Sequence, residues 1–226
     1  EEKNLCGTQR LLLKKTSTLL QVLNSIIPAM WVNEVGVEAH IDNVNWREDF
    51  PKFLQATVHA AHDGERLFLL YNVFGEKLRT VCTHDFDPVW QDSCVEFFVQ
   101  RDNESTLYCN FECNANGVLL ASLHQSREES IKFSTDEMAS VFRHASVIHR
   151  YEKNGNQVSD WSLYLEIPKN LLRFAPKESL SQKKLRANFY KCGDLTNEPH
   201  FLTWSPISTP KPNFHVPQFF GQLEME

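Results

Sequence analysis

The sequence predicts an all-β chain, an antiparallel β-sandwich of the jelly-roll or immunoglobulin-like kind with a short N-terminal helix. Three observations predict it. From Val35 onward, short runs rich in β-branched and aromatic residues are separated by turn dipeptides such as Asp63-Gly64, Asn116-Gly117 and Asn154-Gly155. Three of those runs alternate between apolar and polar side chains, the period of a strand. The long helical crossovers that parallel sheets require are missing between the runs.

In chain order, Leu19, Leu20, Val22, Leu23, Ile26 and Ile27 recur at spacings of three and four over 16–27. Thr and Ser cap candidates precede them and Pro28 follows, which predicts one amphipathic helix ended by that proline. Strands are then expected over 55–61, 66–74, 93–100, 107–114, 118–123, 145–151, 161–168 and 185–192. The charged, weakly periodic stretch 126–140 predicts a loop with a helical turn, and 176–184 a second polar connection. Neither a break in composition nor an internal repeat divides the chain. The expected organisation is an N-terminal extension over 1–30 and one sandwich domain over 31–226.

With 42% hydrophobic and 12% aromatic residues, 8 Gly and 10 Pro, the chain is neither disordered nor collagen-like. Its 23 Lys and Arg against 29 Asp and Glu give a formal charge of −6, so no field attracts phosphates and no nucleic-acid partner is expected. The longest apolar stretch, around 19–30, is broken by Gln21, Asn24, Ser25 and Pro28, so no membrane span is expected. The N-terminus lacks the pattern of a secretory signal. The expected location is secreted or periplasmic if a signal has been removed, and cytoplasmic otherwise. The six Cys show no CxxC spacing and are expected to be mostly buried free thiols.

The alternating runs carry the first functional information. Leu107, Cys109, Phe111 and Cys113 oppose Tyr108, Asn110, Glu112 and Asn114; Trp161, Leu163, Leu165 and Ile167 oppose Ser162, Tyr164 and Glu166; Leu185, Ala187 and Phe189 oppose Arg186, Asn188 and Tyr190. Each run has a core face and a face of amide, carboxylate, guanidinium and phenol groups. Such a face is either the solvated surface of an antiparallel sheet or a platform for a hydroxyl-rich ligand.

In DPVWQDSCVEFF (87–98), Trp90 stands before a strand and six residues ahead of Glu96. An indole there can stack on the C–H face of a sugar while the carboxylate accepts from hydroxyls; alternatively, Trp90 plugs the core and Glu96 pairs with an Arg. Trp204, among Thr203, Ser205 and Pro206, has the setting of a loop and is the expected second aromatic wall. The resulting candidate set has Trp90 and Trp204 as walls, Glu96 and Glu112 as acceptors, and Arg186 and Asn188 as donors. His200 and His215 are expected to brace loops.

Together, VWQDSCVEFF, LYCNFECNANG, NFYKCGDLTNEPHFLTWSPI and PNFHVPQFFG, with IDNVNW at 41–46, resemble the carbohydrate-binding module family 9-like domains over about 41–224, and among them a small bacterial subgroup of nearly stand-alone chains. The resemblance implies a sandwich that binds a mono- or oligosaccharide without catalysis, with the reducing-end sugar between two Trp side chains. On that pattern Trp90 and Glu96 match the first Trp and the acidic residue. Trp204 matches the second Trp, with Phe201 where the family has an amide. A glycoside hydrolase is the implied partner. Structural calcium follows from the resemblance alone; no dense Asp/Asn ligand loop is present, and no cofactor is expected.

Other chemistries stay open. Asp92, Glu96 and Glu112 could supply the carboxylate pair of a hydrolase acting on O-glycosyl bonds, whose members lie about 5–9.5 Å apart. Cys192 and Asp194 with His84, His200 or His215 could form a thiol hydrolase, although no local signature accompanies them. A sandwich that only docks a partner protein is the third reading.

Overall fold

The computed structural model describes residues 9–16 and 26–226. Its elements in chain order are β1 (Arg10–Leu13), α1 (Ile26–Val35), β2 (Val37–His40), β3 (Asn43–Val44), β4 (Gln55–His62), β5 (Arg66–Glu76), β6 (Cys94–Gln100), β7 (Tyr108–Asn114), β8 (Leu119–His124), β9 (Ser130–Lys132), α2 (Thr135–Ser140), β10 (Phe142–Lys153), β11 (Asn156–Pro168), β12 (Lys184–Cys192), β13 (Phe201–Thr203) and β14 (Gly221–Met225). Each of the eight expected strands is present. The β10–β11 hairpin is longer than expected because Asn154 and Gly155 both take positive φ (52° and 74°), the two-residue turn whose twist suits a long antiparallel ribbon.

Among the described residues the strands form two sheets. The site sheet runs β1-β14-β12-β6-β7-β8-β9, with β13 paired to β12 and β3 to β13; the back sheet runs β10-β11-β5-β4-β2. All pairings are antiparallel except β1 with β14. No helix among the described residues is long and apolar enough to cross a membrane.

The apolar halves of the alternating strands meet between the sheets. Phe97, Phe111 and Phe189 of the site sheet stack at 5.2–6.2 Å and face Leu69, Tyr71, Trp161, Leu163 and Leu165 of the back sheet, all at most 1% exposed. Burying each such side chain contributes about 1.5–3 kcal/mol, and this layer holds the sandwich together. One ionic group sits inside it. Lys191, fully buried, donates to Glu76 Oε1 (2.8 Å) and contacts His200 Nε2 (2.8 Å), while Trp161 Nε1 donates to Glu76 Oε2 (2.8 Å). Burial, and then the neighbouring Lys191, holds the His200 imidazole well below its usual range, so it stays neutral and accepts from the ammonium.

Residues 17–25, where most of the expected N-terminal helix falls, lie outside the described residues. The described helix α1 includes Pro28 rather than ending at it. As the third residue of α1, Pro28 gives up an N–H that a first helical turn leaves unused. Val32 of α1 packs on Ala61, Phe68, Leu70 and Tyr164, so this polar-looking side of the β11 alternation is also covered. The 126–140 segment contains β9 as well as α2, which starts on a capping box between Ser134 and Glu137. Cys82, Cys94, Cys109, Cys113 and Cys192 are buried free thiols; Cys6 lies outside the described residues.

The outer face of the site sheet differs from both sequence expectations, since it is neither solvated nor an open platform. Tyr108, Asn110, Glu112 and Asn114 are each at most 5% exposed. A second apolar cluster roofs this face, in which Trp46, Val89, Ile207, Phe214, Val216 and Phe220 pack over Phe98, Tyr108, Leu120 and Tyr190. The roof leaves a gap over part of this face, and the candidate site lies there.

Candidate functional site

Strand register assembles the floor. Glu96 pairs with Glu112 across β6 and β7, and Glu112 with Leu120 on β8; the next row on the same face places Asn110 beside Ser122, and Ser122 beside Lys132. Directly opposed side chains on one face have Cβ atoms about 4.5–5.5 Å apart, so the two glutamates are neighbours by construction. They line a cavity of about 330 Å³ together with Asn110, His124 and Asp194. Its aromatic lining is Trp90, Phe201, Phe214 and His215, and Arg127, Lys132 and Asn213 complete the rim.

Trp90 is held by its backbone and free at its ring. It lies in a 3-10 turn, Val89–Gln91, whose Val89 is fully buried. The Trp90 carbonyl accepts from Asp194 N (3.1 Å) and the Gln91 carbonyl from Leu195 N (3.1 Å). Below the turn, the fully buried Asp92 carboxylate pairs with Arg79 and accepts from Val81 N (3.1 Å), Cys82 N (2.9 Å) and Asn114 Nδ2 (3.0 Å). With its acceptors occupied, Asp92 is an anchor for the turn. The residue is 37% exposed.

The floor carboxyls are short of partners. Glu96 Oε1 accepts from Cys192 Sγ (3.0 Å), and Glu112 Oε1 accepts from Asn110 Nδ2 (2.7 Å), whose Oδ1 in turn accepts from Ser122 N (2.8 Å). Among the described residues, buried Glu112 Oε2 and His124 Nε2 have no hydrogen-bond partner. His124 Nδ1 lies 3.0 Å from the Ser126 carbonyl, which places its proton on Nδ1 and leaves Nε2 an acceptor. Both unpartnered atoms are thus acceptors without a donor among the described residues.

Burial pushes the Glu96 carboxyl far above its usual range, with Cys192 and the neighbouring Glu112 adding to the rise. The same cause lifts Glu112 to about 7, against the opposing hydrogen bond from Asn110 and with help from Asp194. Asp194 rises to about 6 through burial, opposed by Arg127. His215 falls to about 3, first through burial and then through the nearby His124. Between pH 4.5 and about 7 the folded chain thus keeps a Glu112 proton that the unfolded chain has lost, so this group lowers stability as pH rises. Asp194 acts with the same sign from 3.8 to about 6, and His215 with the opposite sign from about 3 to 6.5. Glu112→Gln removes the first contribution. In thermal melts across pH 4.5 to 7 the variant is expected to gain on the wild-type chain as pH rises; parallel profiles would contradict a retained proton.

Three of the six expected ligand residues, Trp90, Glu96 and Glu112, meet at this cavity. The other three lie elsewhere. Trp204 is 4% exposed in the inter-sheet core, its ring 5.5 Å from the Phe189 ring and its backbone N–H donating to the Phe189 carbonyl (2.9 Å). It continues the inward side of β13, and Gly221 makes room for it, since a Cβ there would meet Trp204 Cζ3 at 2.5 Å. Arg186 donates to the carbonyls of Pro217 (2.8 Å) and Phe220 (3.3 Å) and so ties down the roof. Asn188, fully buried, clamps β13 through Ser205 O (2.9 Å) and Ser205 N (2.8 Å). Asn110, which shares the alternating face of Glu112, and Asp194 and His215, which stand in KCGD and NFHVPQFFG, also line the cavity.

Only one group of thiol, carboxyl and imidazole ligands among the described residues closes to within 4.8 Å, namely Cys94, Cys192 and Glu96. Two thiols and one carboxyl suit a thiophilic ion and not calcium, which takes six to eight oxygens.

The whole chain can be placed among known proteins. Among curated proteins none matches it. A crystal structure of a candidate carbohydrate-binding protein from Bacteroides uniformis shares 32% identity, covers 97% of this chain and 100% of its own, and superposes with a TM-score of 0.84. Two structures of a carbohydrate-binding module family 9 from Caldicellulosiruptor kristjanssonii, in complex with glucose and with cellotriose, share 10% identity at a TM-score of 0.59. They cover 96% of this chain, and 96% and 94% of theirs, and show the same fold. Residues 26–225, from α1 to the end of β14, match the profile of carbohydrate-binding family 9, and the chain belongs to that family.

Proposed function

We propose that this protein binds a mono- or oligosaccharide without turning it over, in the cavity between Trp90 and the Glu96–Glu112 floor. The observation that carries the reading is the pairing of an exposed, backbone-pinned indole with two buried acceptors that lack donors. A pyranose offers both complements, an apolar C–H face and a ring of hydroxyl donors. Because Trp204 is in the core, the aromatic surface beyond Trp90 comes from Phe201, Phe214 and His215, and the grip is by one Trp rather than two. Membership of a carbohydrate-binding family and the likeness to modules in complex with glucose and cellotriose support the same reading.

A docking partner such as a glycoside hydrolase belongs to the same proposal, since a module without turnover acts by holding an enzyme near its polymer. Calorimetric titration with glucose, its β-1,4 oligomers and other hexoses is expected to show saturable binding with no product formed. The absence of heat and of any Trp fluorescence change across that panel would overturn the reading.

A further inference from the structure

Beside the glutamate pair, the outer face of the site sheet carries two thiols. Cys94 on β6 lies directly opposite Cys192 on β12, and Glu96 follows Cys94 by two positions, which returns it to the same face. Register therefore sets both thiols and one carboxyl side by side. Their ligand atoms, the two Sγ and one Glu96 carboxyl oxygen, all lie within 4.8 Å of one another, and Cys192 Sγ is 3.0 Å from Glu96 Oε1. The turn that carries Trp90 passes over them, its Trp90 carbonyl 3.8 Å from Cys192 Sγ. Among the described residues the other buried thiols, Cys82, Cys109 and Cys113, join no such group.

The spacing suits coordination better than covalent pairing. Directly opposed side chains hold their Cβ atoms about 4.5–5.5 Å apart, whereas a disulfide needs about 3.5–4.5 Å. An ion bound at about 2.3 Å to each sulfur and about 2.0–2.2 Å to an oxygen holds those three atoms roughly 3.5–4 Å from one another, so the Cys192–Glu96 contact has to open by about half an ångström. Two thiolates offset the charge of a divalent ion, and soft sulfur ligands select zinc or cadmium over calcium and magnesium. The thiols are enclosed, at 0% and 1% exposure, but Glu96 stands on the wall of the 330 Å³ cavity, which gives an ion a way in.

We infer that Cys94, Cys192 and Glu96 bind one thiophilic divalent ion such as zinc, which ties β6 to β12 beneath the Trp90 turn. Binding replaces the two thiol protons, which pass to the buffer, and no electron is transferred. Three protein ligands leave a tetrahedral ion one position short, to be filled by water or by a molecule in the cavity. The ion site shares Glu96 with the sugar-binding reading and does not depend on it.

The test uses the full chain, reduced and stripped of metal, with Cys6→Ala and Cys82→Ala introduced to remove two thiols outside the group. Zinc titrated in competition with a chromophoric chelator is expected to bind at one equivalent per chain, and cadmium to give thiolate-to-metal charge-transfer absorption. Zinc at a hundredfold excess over its dissociation constant is expected to raise the unfolding midpoint by about 5–10 °C, and calcium to leave it unchanged. Cys94→Ser and Cys192→Ser are each expected to weaken zinc binding at least tenfold, since losing even an outer partner of a metal ligand costs about 10–100-fold. Should a serine variant fail to fold, Glu96→Gln serves the same comparison with a smaller loss. Zinc bound without thiolate absorption from cadmium, or bound equally well by the folded variants, would be an ion on surface groups and would overturn the site, as would no binding at all. Glucose titrated into the same metal-free chain reads sugar binding separately.

Discussion

Trp90→Ala is expected to weaken saccharide binding roughly 30-fold with little change in stability. A pyranose face covering about 80 Å² of indole gains about 2 kcal/mol at roughly 25 cal/mol per Å², which corresponds to that loss of affinity. Stability is spared because the turn is fixed by other groups. Val89 is the buried anchor, Asp92 is saturated by Arg79 and Asn114, and the Trp90 carbonyl bonds to Asp194 whatever the side chain. Trp204→Ala is the instructive contrast. It removes a core ring packed on Phe189 and is expected to lower the unfolding midpoint strongly while touching no ligand. Isothermal titration beside urea denaturation separates the two. Loss of affinity in folded Trp204→Ala as well as in Trp90→Ala would restore the two-Trp grip, and a Trp90→Ala variant that binds like the wild type would remove the proposed one.

Lys191→Met is expected to cost about 3–5 kcal/mol of folding stability, the range for breaking a buried ion pair from one side. The methionine fills much of the same space, so the loss comes from charge and not from a cavity. Glu76, 3% exposed, would retain only the Trp161 indole N–H, and His200 Nε2 would lose its donor. Combining Lys191→Met with Glu76→Gln is expected to recover a large part of the loss. The amide is neutral, its carbonyl still accepts from Trp161, and its N–H₂ can reach toward His200, whose Nε2 lies 3.7 Å from Glu76 Oε1. Urea denaturation of both singles and the double closes the cycle. Additive losses would show that the pair does not act as a unit. The network also bears on the site, because Lys191 precedes Cys192, whose thiol donates to Glu96.

The legible parts of this protein are those with a period. Strands of six or more residues with apolar side chains on every second position, such as β7 and β12, announce themselves, and the covering of one face by the other sheet follows from burial. Two- and three-residue strands do not. β3, β9 and β13 are shorter than one full alternation, and only pairing with β13, β8 and β12 makes them strands. That is why the 126–140 segment reads as a charged loop although Lys132 and Ser130 line the cavity. Trp204 fails for a related reason. Its neighbours Ser205 and Pro206 have loop composition, but the inward register inherited from β13 decides where the ring goes.

From the chain of amino acids alone come the sandwich, the inward faces of its long strands, and the polar face that carries Glu112. Each depends on spacing within one segment, which local geometry converts directly into a face. The three-dimensional packing alone decides that the polar face is roofed, that the roof is open over Glu96 and Glu112, and that Arg186 and Asn188 brace it in place of meeting a ligand. These outcomes depend on segments about 20 to 160 positions apart in the chain, as the bonds from Asn43 to Trp204 and from Arg186 to Phe220 show, and no local pattern encodes such contacts.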